Sequence, residues 1–357
     1  MKVLVYPFDS NPYQKLLYSP MEDKGVKIKY LNKVVLPIPT EIRFFSNYPL
    51  IFLYRLLGFK IFHLHWPAFN FPFRSRYKER ISYYNSLIFL RLIKLLGFKL
   101  VWTIHNIVPH ESQTGDDKTI TREILNLSDA NIAHSHQTLE DLRKLKFKTK
   151  NSYIIQHGNF IGYYPNNISR QKARKELGLA EDEIVFLFTG KIRLYKGLGN
   201  FLREFDKLNI KKTKIIIAGK TEDDITKREI EKYNKNKKII IHDEYIKDED
   251  FQVYMNASDI CVYPFKKITT SGSIMLGLSF GKPVLYRNIG GLKELPKKIG
   301  FSYENDSELG GTIIESIKKA RDLKEYSKNA LKYARYMSWD KIARKTLKIY
   351  KKLEKMK

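Results

Sequence analysis

Two cations and a glycine stand together after an apolar run of the sequence. Arg193 and Lys196 lie three positions apart, just past the run 184–189 (IVFLFT) and Gly190. The run reads as a buried strand, and a glycine at its end lets a ligand approach the backbone closely. Two positive side chains at that place suit a diphosphate. As a bare pair in a basic protein, they would instead simply face solvent.

A second anion-binding pattern follows the short apolar strand 260–263. Small residues come next, among them Ser271, Gly272 and Ser273, and then an apolar helical run, 274–280. The first turn of a helix has unpaired N–H groups and a partial positive charge, so the pattern predicts a phosphate contact. The alternative is an ordinary crossover with a capped helix.

Histidines recur just past strands in the first half of the chain. His65, His105 and His134 each follow an apolar run. Open parallel sheets bind ligands outside the carboxyl ends of their strands, so these side chains are expected at that edge. Neither His134-Ser135-His136 nor any Asp-x-Asp offers a set of metal ligands, and we expect a reaction without metal or other cofactor.

Strands alternate with helices along the whole chain, which is typical of α/β proteins. The length of 357 residues suits two domains, and the polar stretch 162–167 reads as a hinge. The sequence predicts two doubly wound Rossmann-like domains that face a cleft, residues 1–165 and 166–335. The final helix, 336–357, is expected to pack back on the first domain.

The composition narrows the class of protein. A single cysteine, Cys261, excludes an internal disulfide framework, and its apolar strand predicts burial. The first residues lack the pattern of a signal peptide, and Arg91 and Lys94 interrupt the best apolar stretch, 87–96, which is too short to span a membrane. These features predict a cytoplasmic protein.

The charge is unusual, since the formal net charge is +27. Such a surface attracts nucleic acid, an anionic membrane or a phosphorylated substrate. A lysine-rich background is the plain alternative, because Lys-rich helices such as 341–357 are spread along the chain.

The order of these motifs resembles the GT-B glycosyltransferases, in particular the large family-four type that uses nucleotide-sugar donors. The resemblance covers most of the chain. Residues 188–197 (FTGKIRLYKG) resemble the family's G-R-x-x-x-x-K-G, and the G-K-P-V at 281–284 and G-G-x-x-E at 290–294 match closely. The other similar elements are 61–65 (IFHLH), 101–106 (VWTIHN), 133–135 (AHS), 155–159 (IQHGN), 215–219 (IIIAG) and 245–265.

One departure concerns a pair of glutamates, E-x7-E, that many members carry ahead of G-K-P-V. Counted back from Gly281, the positions hold Thr269 and Gly277, so the motif is lost. In the family these carboxylates contact the sugar and the ribose. Neither role can be transferred to this chain, and the donor sugar and the stereochemical outcome stay open.

The resemblance implies a donor site in the second domain. Its residues are Gly190, Arg193, Lys196, Tyr245, Ile246, Ser271, Gly272, Ser273 and Glu294. The two cations and the serine–glycine turn would stabilise the departing diphosphate, and backbone groups near Tyr245 would bind uracil or guanine. Glu294 would lie near the donor, or would be only a carboxylate favoured at a helix N-terminus.

The resemblance also implies a catalytic histidine in the first domain. His105 occupies the family's T-x-H position, where it would take the acceptor proton in an inverting reaction or hydrogen-bond the donor sugar. A satisfied histidine in a loop is the structural alternative. His110 and Glu111 compete for the role of base, and His65 is a further candidate on the acceptor side.

The sequence therefore predicts a glycosyltransferase that moves a sugar from a UDP- or GDP-sugar to a membrane-associated glycan or a lipid-linked acceptor. Polysaccharide or glycoconjugate biosynthesis at the inner face of the cell membrane is the expected setting. The aromatic and basic residues 69–80 suit a lipid carrier, or else pack around the following helix. A nucleic-acid-binding protein, an inactive partner subunit and an epimerase or phosphorylase of the same fold are the alternatives.

Overall fold

The structure, a computed structural model, describes residues 1–31, 47–67, 76–108 and 117–356. Contacts divide the chain into two units. The first combines Met1–Gln156 with Trp339–Lys357, and the second is His157–Ser338. The chain therefore leaves the first unit, builds the second, and returns to the first with its last helix.

The first unit is built on a sheet of six parallel strands. They are β1 (Lys2–Tyr6), β2 (Lys27–Tyr30), β3 (Ile61–Leu64), β4 (Lys99–Ile104), β5 (Ala130–Ala133) and β6 (Ser152–Ile154). Their order in the sheet is β2-β1-β3-β4-β5-β6. The order reverses between β1 and β3, so the loops after these two strands diverge there.

Helices cover both faces of this sheet, which is why β1, β3 and β4 are apolar on both sides. They are α1 (Pro12–Glu22), α2 (Asn47–Leu56), α3 (Arg76–Leu95), α4 (Asp117–Leu127), α5 (His136–Lys144) and the C-terminal α13 (Trp339–Lys355). One face packs against α2, α3, α4 and α5. The other packs against α1 and α13.

The second unit has its own sheet of six parallel strands. They are β7 (Ile184–Thr189), β8 (Thr213–Ala218), β9 (Ile239–His242), β10 (Ile260–Tyr263), β11 (Val284–Arg287) and β12 (Gly300–Tyr303). The order β12-β11-β10-β7-β8-β9 reverses between β7 and β10.

Among its described residues, the second unit has seven α-helices, of which one precedes β7, four connect successive strands and two follow β12. They are α6 (Arg170–Glu176), α7 (Leu198–Leu208), α8 (Asp224–Glu231), α9 (Phe251–Ala257), α10 (Gly272–Ser279), α11 (Leu309–Lys318) and α12 (Leu323–Tyr336). Single turns of 3-10 helix occupy Leu194–Lys196, Gly290–Glu294, Lys297–Ile299, Asp306–Glu308 and Ala320–Asp322.

The predicted doubly wound α/β fold is confirmed, and several element bounds differ from those read in the sequence. α10 begins at Gly272 rather than Ile274, because Ser271 caps it and draws the small residues into the first turn. α3 begins at Arg76 rather than Ile81, since arginine, lysine and glutamate are good helix formers. α9 begins at Phe251, after a turn.

Two further predictions from composition can be compared with the structure. Cys261 is buried, as predicted, and this burial raises the pKa of its thiol to about 11. In the described part of the chain, no helix is long and apolar enough to cross a membrane. The Lys-rich α13 is amphipathic, with Leu347 and Tyr350 in the core and its lysines on the outer side.

Candidate functional site

The residues assigned to the donor follow strands of the second sheet and lie along its carboxyl edge. Gly190 follows β7, Tyr245 follows β9, and Ser271 follows β10. β7 and β10 are neighbours where the strand order reverses. In open parallel sheets a ligand crevice forms at such a point. The two anion-binding patterns of the sequence therefore meet at the switch point of one sheet.

The loop after β7 is held closely to the loop after β10. Gly197 has a φ of +72°, and a Cβ atom there would lie 2.0 Å from the carbonyl oxygen of Pro264. The Lys266 amide donates to the Tyr195 carbonyl at 2.8 Å. Only glycine fits at position 197, because any side chain would push the two loops apart.

Gly190 marks the centre of the candidate donor site. Its φ is +92°, and a Cβ atom there would lie 3.7 Å from Lys196 Nζ and 3.9 Å from Ser273 Oγ. Gly219 closes the other side, since its own Cβ position is 2.2 Å from the Gly190 carbonyl oxygen. The glycine thus brings an ammonium group and a hydroxyl group from two different loops to the same place.

Lys196 is a buried cation. Its side chain is 8% exposed, and its Nζ lies 5.7 Å from the centroid of the Phe188 ring. Among the described residues, no carboxylate lies within 4.0 Å of this ammonium group. Burial, and then the charge of Arg193, lower the pKa of Lys196 to about 8. The charge of Glu222 opposes this shift only in part. A buried cation with no carboxylate in contact is costly, and a bound anion would compensate it.

Arg193 is engaged with an acid that the sequence did not single out. Its Nε donates to Glu222 Oε2, and Lys191 Nζ lies 2.7 Å from Glu222 Oε1. Although burial opposes it, the hydrogen bonds and charges of Lys191 and Arg193 lower the pKa of Glu222. In this arrangement the Arg193 guanidinium is held by a carboxylate that an incoming diphosphate would have to displace.

The start of α10 completes the site on the other side. Ser271 Oγ accepts from the Ile274 amide at 3.4 Å, and the Tyr263 hydroxyl donates to the Ser273 carbonyl at 2.7 Å. His157 stands beside this turn, since a Cβ atom on Gly272 would be 3.2 Å from His157 Nε2. In the sequence, His157 belongs to the IQHGN element, and no function was predicted for it.

The other residues assigned to the donor also lie at this edge, with different exposures. Ile246 is buried, and Tyr245 beside it is 75% exposed. Glu294 is exposed and ends the 3-10 turn Gly290–Glu294. It is therefore not the N-terminal carboxylate of a helix, which was the alternative reading of its position.

The first unit gathers four histidines with tyrosines and a tryptophan. His63 and His65 belong to β3 and the residue after it, while His105 and His134 follow β4 and β5. Tyr13 of α1 makes edge-to-face ring contacts with His65, His105 and His134. Adjacent parallel strands place these side chains together, as expected from the sequence.

A chain of hydrogen-bond distances runs from His105 into the core. His105 Nε2 is 3.2 Å from His65 Nδ1, and His65 Nε2 is 2.7 Å from the Tyr18 hydroxyl. That hydroxyl is 2.7 Å from His63 Nδ1, which is 2.5 Å from the Tyr350 hydroxyl of α13. The chain links five side chains, which come from α1, β3, α13 and the segments that follow β3 and β4, and it fixes the orientation of each ring.

His105 is the outer end of this chain. Its ring stacks on Trp66 at a centroid distance of 4.3 Å and is half-buried, whereas His65 has no exposed surface. His105 is therefore the one member of this chain of five side chains that is open to solvent. His110, Glu111 and the segment 69–75 lie outside the described residues, as do the side chains of 76–80.

The family comparison agrees with this architecture. Residues 169–337 match the family described as Glycosyl transferases group 1. The chain is 23% identical over 278 residues to the GDP-mannose:glycolipid 4-beta-D-mannosyltransferase of Xanthomonas campestris pv. campestris. The aligned residues cover 78% of this chain and 70% of that protein.

Similar solved structures share the fold. Sucrose-phosphate synthase from Thermosynechococcus elongatus is 17% identical and aligns over 99% of this chain and 98% of its own, with a TM-score of 0.76. Anabaena HepE in complex with UDP is 15% identical and aligns over 99% of this chain and 100% of its own, with a TM-score of 0.73. The chain is a GT-B glycosyltransferase.

The glycosyltransferase has no acidic side chain in the loop and helix that precede G-K-P-V, because no Asp or Glu occurs between Asp259 and Glu294. Gly277 is also closely packed. A Cβ atom there would be 2.7 Å from the Tyr263 hydroxyl and 3.3 Å from Cys261 Sγ. Any side chain at position 277 would displace Tyr263, whose hydroxyl binds the first turn of α10.

The histidines inside the first unit are held neutral by burial. Desolvation lowers the pKa of His63 to about 3 and that of His134 to about 4. Burial, followed by the neighbouring imidazoles, lowers the pKa of His65 well below its usual range. These three imidazoles therefore carry no charge at neutral pH.

We expect the glycosyltransferase to lose stability in mild acid. Below pH 6.5 the histidines of the unfolded chain bind protons, whereas the buried histidines of the folded chain stay neutral. The free energy of unfolding therefore decreases as the pH is lowered to about 4. Each such histidine removes about 2 kcal/mol between pH 7 and pH 5. Denaturant melts at several pH values would measure the sum.

A matched pair of variants isolates this effect. His134→Gln should flatten the dependence on pH by about one histidine's share, whereas His136→Gln, two positions away on the exposed start of α5, should leave it unchanged. Equal slopes for His134→Gln and the parent protein would show that His134 titrates freely in the folded state.

Proposed function

We propose that the glycosyltransferase transfers a sugar from a nucleoside-diphosphate sugar, and that the second unit binds this donor. The observation that carries the proposal is the buried ammonium of Lys196, which lies beside Gly190 and the start of α10 at the switch point. An anion with two phosphate groups would meet Lys196, Arg193 and the amides of the α10 turn together.

The donor phosphate would be stabilised most as it leaves. Breaking the bond between the sugar and the diphosphate builds negative charge on the departing oxygen, and preorganised cations lower the barrier more than they strengthen substrate binding. Lys196 is fixed by its burial and needs no movement. Arg193 would exchange Glu222 for the diphosphate, because both are anionic partners of the same guanidinium.

The first unit would hold the acceptor, with His105 at the reacting hydroxyl. His105 would either remove the proton of that hydroxyl or hydrogen-bond the donor sugar, and Glu111 remains a competing base. The relative from Xanthomonas campestris is named for GDP-mannose and a glycolipid. By that similarity we propose a membrane-associated glycan or a lipid-linked acceptor, at the inner face of the cell membrane.

The base of the nucleotide distinguishes two versions of the proposal. The Xanthomonas relative is named for a GDP-sugar, whereas HepE was solved with UDP. Isothermal titration with UDP, GDP and a panel of their sugars would decide between them. We also propose that transfer needs no metal ion, which an assay with and without EDTA would check.

Two opposite variants test the diphosphate contact. Arg193→Ala should weaken binding of the preferred nucleotide about tenfold, since one charge-assisted contact is lost. Glu222→Gln should strengthen it a few-fold by freeing Arg193. If both variants bind the nucleotide as the parent protein does, Arg193 is only a partner of Glu222 and the site assignment is wrong.

A further inference from the structure

The amino edge of the first sheet is lined with lysines. β1, β2 and β4 begin with Lys2, Lys27 and Lys99, and Lys60 immediately precedes β3. In a parallel sheet all these starts lie on one edge. Among the described residues, no carboxylate lies within 4.0 Å of any of these four ammonium groups. This edge is opposite to the one that holds His105.

The end of α13 adds to the same edge. A depression of about 550 Å³ is lined by Met1, Lys2, Gly58, Lys60, Lys351, Glu354 and Lys355. Glu354 is the only acid in it, against four lysines. The return of α13 to the first unit thus places two further cations, Lys351 and Lys355, beside the starts of β1 and β3.

Large apolar side chains stand exposed next to this depression. Leu56 is 86% exposed and Leu57 51%, and Lys2 Nζ donates to the Leu57 carbonyl at 2.6 Å. Leu95, the last residue of α3, is 84% exposed. The Arg55 side chain connects α2 to the end of α3, because its Nε donates to the Leu96 carbonyl at 2.6 Å.

These features share one surface because α2, α3 and α13 all end at the amino edge of the sheet. We call this surface the lysine edge and define it by its members. They are Lys2, Lys27, Lys60, Lys99, Lys351, Lys355, Leu56, Leu57, Leu95 and Met356. Met356, the last apolar residue of the chain, is itself 48% exposed.

We propose that the lysine edge is the surface by which the glycosyltransferase binds an anionic lipid bilayer. Cations held near exposed leucines match a bilayer, whose headgroups are negative and whose acyl region begins a few ångströms below them. Lysine stems bury along apolar surface while their ammonium groups stay with the phosphates. A second copy of the chain would bring six lysines against six, and a nucleic acid would leave the leucines in water.

The proposal extends the proposed function without depending on its details. Binding there would keep the enzyme at the membrane and leave the carboxyl edge with His105 and Trp66 uncovered. Because binding to vesicles can be measured without donor or acceptor, its failure would not touch the assignment of the donor site.

Vesicle co-sedimentation of the full chain tests the proposal. Vesicles of phosphatidylcholine alone are compared with vesicles that contain 30% phosphatidylglycerol, at low and high salt. We expect binding to the anionic vesicles that weakens with salt. Lys60→Glu/Lys351→Glu/Lys355→Glu should lower the partition coefficient at least thirtyfold, since each lysine near an anionic surface contributes about fivefold.

A matched control carries the same change in charge elsewhere. Lys172, Lys175 and Lys232 are exposed on the second unit. Their replacement by glutamate should leave the partition coefficient within about threefold of the value for the parent protein. Leu56→Ser/Leu57→Ser should weaken binding about tenfold and leave its salt dependence unchanged.

Three outcomes would overturn the proposal. Equal losses in the two triple variants would mean that the net charge binds lipid without a defined surface. Unchanged binding in the leucine variant would remove the apolar contact. Loss of duplex DNA binding in the lysine-edge variant, with vesicle binding retained, would mark a nucleic-acid surface. Melting curves confirm that each variant is folded.

Discussion

Lys196→Met should abolish most transfer activity and make the protein more stable. Loss of a preorganised cation at the leaving diphosphate is expected to lower kcat/KM about 10²–10³-fold. The free energy of unfolding should rise by about 1–3 kcal/mol, because methionine removes a charge whose burial lowers the pKa of Lys196 to about 8. Activity assays and denaturant melts of the same preparation measure both effects.

Lys282→Met is the matched control for this variant. Burial lowers the pKa of Lys282 to about 8 as well, but its Nζ donates to the Ser258 carbonyl at 3.0 Å. It lies in the turn that enters β11, at the opposite edge of the sheet from Gly190. The control should lose stability and keep its affinity for nucleotide. Retention of full activity by Lys196→Met would refute the donor site.

The lowered pKa of Lys196 should make donor binding depend on pH. A bound diphosphate favours the charged ammonium, so the complex takes up a proton when the free protein is neutral at this position. Affinity should be level below pH 7 and fall as the pH rises above about 8. Calorimetry in buffers of different ionisation enthalpy would detect this proton, which Lys196→Met should abolish.

His105→Gln should lower kcat about 10²–10⁴-fold with little change in KM, if the histidine removes the acceptor proton. Glutamine keeps a polar side chain of similar reach and can still hydrogen-bond His65. A histidine that only contacts the donor sugar would instead raise KM for the donor. Steady-state kinetics with both substrates varied separates these two roles.

Two companion variants make the His105 result specific. His134→Gln removes a ring 5.3 Å from the His105 ring, and because this ring is buried the variant should cost less than tenfold in kcat. Glu111→Gln removes the competing base. If Glu111→Gln loses the pH dependence of kcat while His105→Gln retains it, Glu111 is the base and His105 is not.

Local patterns in the sequence were sufficient to predict the scaffold. Apolar runs such as IVFLFT form strands because helices cover both faces of a parallel sheet, and each run carries that requirement in itself. The placement of Gly190 and Ser271 after strands followed from the same patterns. Ser271 also shows the limit, since its capping drew two residues assigned to a loop into α10.

The division into units was harder to read. The sequence placed the hinge at 162–167, whereas the contacts divide the chain after Gln156 and again after Ser338. The polar residues of 162–167 are suited to a turn, but a unit is defined by packing. Asn159, which precedes them, already belongs to the second unit through a bond from its side chain to the Ala334 carbonyl.

The cations and histidines that could do chemistry were determined by the sequence alone, because residue type and position after a strand are local properties. What each of them can do was decided by the tertiary structure. Lys196 became a buried cation and Arg193 the partner of Glu222, 29 positions away. His63 met Tyr350 across 287 positions, because α13 returns to the first unit. Burial and pairing depend on contacts between distant segments, and no local pattern encodes them.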